Sequence, residues 1–63
     1  MRYIVYFAKS KADAEDQNED GQEYMTYTES ALSAEFGYRN VQLLLIGGIV
    51  WMNGFYYWIE EAG

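Results

Sequence analysis

The chain has 63 residues, no Cys, no His and a formal net charge of −6. Disulfide staples and the usual zinc sites are thereby excluded, and the scarcity of Lys and Arg argues against direct DNA or RNA binding, because phosphate contacts need those side chains. So short a chain makes one domain, 1–63, that buries only about 60 % of its unfolded surface; seven Tyr, three Phe and two Trp supply much area per residue for its core or an interface.

In chain order, residues 2–8 alternate, with Tyr3, Val5 and Phe7 on one side and Ile4, Tyr6 and Ala8 on the other. That period predicts a strand, and because both sides are apolar the strand belongs inside a sheet or at a covered edge. The apolar run after Arg2 is too short for a secretory signal. Together with the absence of Cys, this sets the expectation of a cytoplasmic protein.

Residues 9–22 carry no apolar stripe. Ser10 is a candidate cap for a helix over Lys11–Gln17, favoured only by Ala12 and Ala14, and the expectation is a solvated acidic loop. Lys11 and Arg39 bracket a region without a basic residue, which holds Asp13, Glu15, Asp16, Glu19, Asp20, Glu23, Glu29 and Glu35. Within it, Asp16, Asn18, Asp20 and Gly21 match the first half of an EF-hand calcium loop. The bidentate Glu of that loop would fall at Tyr27, so an acidic turn is the reading preferred and no metal or other cofactor is assigned.

Tyr24–Tyr27 is ambiguous between strand and helix. Thr28 or Thr26 reads as an N-cap, Thr26 and Glu29 having capping-box spacing. Met25, Leu32 and Phe36 share a helical face, and Gly37 reads as a helix stop. A helix over about 29–36 follows.

From Val41 to Ile59 only Gln42 and Asn53 carry polar side chains. Asn53-Gly54 is the strongest short hairpin signal, since a type I′ turn needs φ > 0 at both central residues. Gly47-Gly48 is read as a second such turn. The two divide the stretch into a three-stranded antiparallel meander, 41–46, 49–52 and 55–59, and make the chain α+β with one short helix. The register sets Met52 opposite Phe55, Trp51 opposite Tyr56, Val50 opposite Tyr57, Ile46 opposite Ile49 and Leu44 opposite Trp51. One sheet face then carries Leu44, Ile46, Ile49, Trp51, Tyr56 and Trp58; the other carries Val41, Leu43, Leu45, Val50, Met52, Phe55, Tyr57 and Ile59. Both faces are apolar and need covers. An alternative reading of the same stretch is a single membrane-spanning helix, for which it is long enough; its glycines, its Asn-Gly pair and its β-propensity argue against that.

Nothing in the sequence is a catalytic motif. Without His or Cys, acid–base work would fall to carboxylates, Lys or Tyr, and 63 residues hardly provide a substrate pocket as well as a core. The acidic run reads either as a solubility device or as a negative face for a basic groove on another protein, where carboxylates take the place of phosphates. In size and composition, with no shared motif, the chain resembles the small acidic inhibitors encoded by phages, including anti-CRISPR proteins and DNA mimics. The resemblance implies a non-enzymatic inhibitor occupying a basic, nucleic-acid-binding surface. On the residues themselves, Asp13, Glu15, Asp16, Glu19, Asp20 and Glu23 would supply the charge, and Tyr24, Tyr27 or Tyr38 the anchor. The alternative is an oligomerising module whose apolar sheet face pairs with a second copy.

Overall fold

The N-terminal alternation produces the central strand. In a computed structural model that describes residues 1–17, 21–22 and 26–62, strand β1 spans Tyr3–Ala8. Helix α1 (Lys11–Glu15) follows it, then β2 (Gly21–Gln22), α2 (Glu29–Phe36), α3 (Tyr38–Leu45), β3 (Val50–Met52) and β4 (Phe55–Glu61). The strands form one antiparallel sheet in the order β2-β1-β4-β3. β1 is paired along its length with β4, from Tyr3 opposite Glu61 to Ala8 opposite Tyr56. On its other side β2 meets Tyr6 and Phe7, and Tyr27 exchanges two 2.8 Å backbone hydrogen bonds with Tyr3. The α+β class and the internal place of the first strand agree with the sequence.

The Asn53-Gly54 hairpin forms in the expected register, with Met52 opposite Phe55, Trp51 opposite Tyr56 and Val50 opposite Tyr57. Asn53 and Gly54 have φ of 54° and 87°, the two left-handed residues of a type I′ turn. The strands run over 50–52 and 55–61 where the sequence reading gave 49–52 and 55–59.

The expected strand over 41–46 is instead helix α3, so the meander loses its first strand. The burial of Val41, Leu44 and, in part, Leu45 follows the i, i+3, i+4 spacing of a helix, while Arg39, Gln42, Leu43 and Ile46 face outward. Gly47-Gly48 is accordingly a helix stop and not a hairpin turn. Gly47 has φ of 85° and donates its N–H to the Leu44 carbonyl at 3.1 Å; Gly48 donates to the Leu43 carbonyl at 2.9 Å. These are the two bonds of a Schellman motif, which satisfy carbonyls left open at a helix end. The pairings of Ile46 with Ile49 and of Leu44 with Trp51 therefore do not exist.

Helix α2 forms where expected. Thr28 caps it, its Oγ1 accepting from the Ala31 N–H at 3.2 Å, so Thr26 is not the cap. Gly37, at φ 86°, both ends α2 and precedes α3, and Asn40 Nδ2 donates to the Phe36 carbonyl at 2.9 Å across the junction. The segment expected as an acidic loop also contains a helix: Ser10 Oγ accepts from the Asp13 N–H at 3.1 Å and starts α1. The described residues thus hold three helices, where one was expected.

Two cores result, one on each face of the sheet. On one face α2 and α3 pack Leu32, Phe36, Val41 and Leu44 against Tyr3, Val5 and Val50. Phe36 meets the edge of Tyr57 with ring centroids 5.1 Å apart. Leu32, Leu44, Val5 and Val41 are almost wholly buried, each worth about 1.5–3 kcal/mol of burial free energy. On the other face Ala14 of α1 is sealed against Ala8 and Trp58. Leu44 thus leaves the face assigned to it with Trp51 and joins the helical layer. No described helix is long and apolar enough to cross a membrane, and the stretch considered as a span is a helix end, a turn and a hairpin.

Candidate interaction surface

α1 is only five residues long, and its position comes from one side chain. Ala14, with no exposed surface, lies against Ala8 and Trp58, so the rest of the helix points outward. Asp13 is half-buried beside the Ser10 cap, and Glu15 and Asp16 are exposed. Asp13 sits in the first turn, where the helix dipole favours a carboxylate. Lys11 Nζ lies 4.0 Å from Glu15 Oε1 with both ends in solvent, a contact that offsets little of the charge.

The sheet face under α1 is aromatic. Tyr6 and Trp58 are cross-strand partners with nearly parallel rings, 5.8 Å between centroids. Tyr6 Oη donates to Glu60 Oε2 at 3.1 Å, which brings one more carboxylate to this face. Trp58 is buried, Tyr56 half-buried, and Trp51 opposite Tyr56 is 63 % exposed. This face, one of the two expected to need a cover, is thus largely closed by α1, and Trp51 is the large ring left out. The register of the Asn-Gly turn already put Tyr56 and Trp58 on one side; Tyr6 joins them through the pairing of β1 with β4, which the sequence did not show.

The predicted site residues are placed unequally. Asp13, Glu15 and Asp16 are brought together on α1 and its cap. Tyr38 is 75 % exposed, but it opens α3, in the layer on the opposite face of the sheet. Tyr27 pairs with Tyr3, at the far end of β1 from α1, and is half-buried against the helical core. Glu19, Asp20, Glu23 and Tyr24 lie outside the described residues, as do Asn18 and Asp20 of the calcium-like string. Among the described residues there is no enclosed cavity and no group of three acidic side chains arranged to hold a metal ion. No family model matches the chain, nor does any curated protein or solved structure.

Proposed function

We propose that this is a non-enzymatic acidic binding protein that inhibits a partner by occupying a basic, nucleic-acid-binding surface, as the phage inhibitors it resembles in size and composition do. The observation that carries the reading is the anchoring of α1. The carboxylates of Asp13, Glu15 and Asp16 stand on a helix fixed by Ala14 and capped by Ser10. Charges held at set spacing lose less conformational freedom on binding than charges on a loose chain. No basic residue occurs between Lys11 and Arg39 to neutralise them. Glu19, Asp20 and Glu23 extend the charge along the sequence, and Tyr24, which follows them, is the anchor; Tyr27 and Tyr38, the other two candidates, stand away from α1. A cytoplasmic setting, where nucleic-acid-binding proteins are accessible, belongs to the same proposal.

The experiment is capture of the partner from host lysate, followed by binding kinetics with the quadruple variant Glu15→Gln, Asp16→Asn, Glu19→Gln and Asp20→Asn. The partner should be a nucleic-acid-binding protein that releases its nucleic acid when this chain binds. The variant should keep its far-ultraviolet circular dichroism and associate at least about tenfold more slowly at low salt, since charge steers encounter. An unchanged association rate and salt dependence would refute the charge-matching reading.

A further inference from the structure

The two edges of the sheet differ. β1 is flanked on both sides, and next to it β2 and Tyr27 form one boundary of the sheet. β3 forms the other and has β4 as its sole strand partner among the described residues. In a two-residue hairpin the residues flanking the turn, Met52 and Phe55, are a hydrogen-bonded pair, as are Val50 and Tyr57 two positions on. Trp51 and Tyr56 between them are not, so the N–H and C=O of Trp51 point away from β4. Proteins commonly blunt such an edge by keeping the strand very short, or with Lys, Pro or an inward charge. β3 is short, at three residues, but Val50, Trp51 and Met52 provide none of the chemical blocks.

Apolar side chains accompany this edge on both sides. Trp51 is 63 % exposed on the α1 face, and Leu43 and Ile46 are exposed at 44 % and 80 % on the last turn and cap of α3. α3 packs over β3 and β4, in the opposite layer. Charge selects the occupant. Every residue from 40 to 59 is uncharged, while the chain as a whole carries −6. Two copies of so acidic a protein repel wherever their acids meet. At β3 they can approach without opposing like charges, and a basic partner has no electrostatic reason to dock there.

We infer that the β3 edge is a homodimer interface, in which β3 pairs antiparallel with β3 of a second copy about a two-fold axis at Trp51. The two Trp51 residues exchange backbone hydrogen bonds and lay their indoles side by side on one face. Leu43 and Ile46 of the two α3 helices close over the other. The contact is isologous and therefore closed: each copy uses its single β3 edge, and one sheet continues through both. The acidic helices α1 remain outside the contact, so the dimer presents two copies of the acidic surface.

Sedimentation velocity of the wild-type chain across the micromolar range tests this, together with concentration-dependent hydrogen exchange at the Trp51 amide. The wild type should sediment at twice the 7.3 kDa chain mass, and the Trp51 amide should be protected at high concentration and exchange at least about tenfold faster on dilution, as an opening interface requires. Trp51→Lys places two like charges at the axis and should raise the dimer dissociation constant about thirtyfold or more, as loss of a central aromatic anchor does, with unchanged circular dichroism. The inference is overturned by a wild type that stays monomeric throughout, by a dimer whose Trp51 amide exchange does not depend on concentration, or by a folded Trp51→Lys chain that dimerises as well as the wild type. Partner binding through the acidic surface is not involved in any of these readouts, so the proposed function stands or falls separately.

Discussion

The two glycines after α3 offer a sharp test of the helix stop, because they are glycines for different reasons. Gly47 has φ of 85° and nothing within 4 Å of the position a Cβ would take. Gly47→Ala therefore meets no neighbour and suffers only the intrinsic cost of a left-handed L-residue, about 1–2 kcal/mol. Loss of glycine's freedom in the unfolded chain returns about 0.4–1 kcal/mol, leaving a net destabilisation of roughly 0.5–1 kcal/mol. D-alanine at the same position has no such penalty and should stabilise by about 0.4–1 kcal/mol. Gly48 is not left-handed, but a Cβ there would lie 2.8 Å from the backbone oxygen of Leu43, the atom that accepts the Gly48 N–H. Relieving that contact stretches the capping bond itself, so Gly48→Ala should lose at least about 1 kcal/mol, the net value of a hydrogen bond, and more if the Leu43 carbonyl is left unpaired. Each kcal/mol moves the melting temperature of a domain this size by about 4–8 °C. Urea and thermal melts followed by circular dichroism on chemically synthesised chains would measure all three. A type I′ hairpin turn at 47–48 would need φ > 0 at both residues and would make D-alanine stabilising at 48 as well. If D-alanine at 47 destabilises as much as L-alanine, the left-handed cap is wrong.

Two further predictions concern the helical layer. Leu32 is wholly buried between α2 and the sheet, so Leu32→Ala should cost about 2–5 kcal/mol. That is a large share of the roughly 3–9 kcal/mol expected for a domain of this length, and equilibrium urea unfolding should find the variant partly unfolded or close to it. Thr28→Ala removes the acceptor for the Ala31 N–H and should cost about 1 kcal/mol in the same assay; a loss below a few tenths would mean that the α2 cap is dispensable.

The parts of the fold legible in the sequence were those fixed by local chemistry. The Asn53-Gly54 pair determines its own register, since only a two-residue turn with both φ positive suits it, and three cross-strand pairs followed. Helix α2 was readable from a hydroxyl before it and a glycine after it. α3 was misread because Val41–Ile46 is apolar enough to pass for a buried strand and the glycine pair looked like a second hairpin. The helical signals were present: Arg39, Asn40 and Gln42 put polar side chains between the apolar ones, three leucines have good helix propensity, and a single left-handed glycine ends a helix as readily as it makes a turn. α1 was underestimated because its apolar face consists of one methyl group. The burial of Ala14 depends on Ala8 and Trp58, which are distant in sequence, so no local pattern marks it. The acidic part of the candidate surface was legible as composition; that Asp13, Glu15 and Asp16 share a platform with Tyr6 and Trp58 depends on tertiary packing.

The pairing of β1 with β4 has a consequence for how the chain acquires its structure. The strand formed by the first residues has its longest partner at the other extremity, and Ala62 donates to the Arg2 carbonyl at 2.8 Å just beyond the ladder. On a ribosome, β1 is made before β4 and must wait for it before its main ladder can close. The helices and the hairpin can form early from neighbouring residues, whereas the sheet centre must close a loop comprising almost the whole domain, the kind of contact that slows folding. Until then Val5 of one core and Trp58 of the other are not yet held in one sheet.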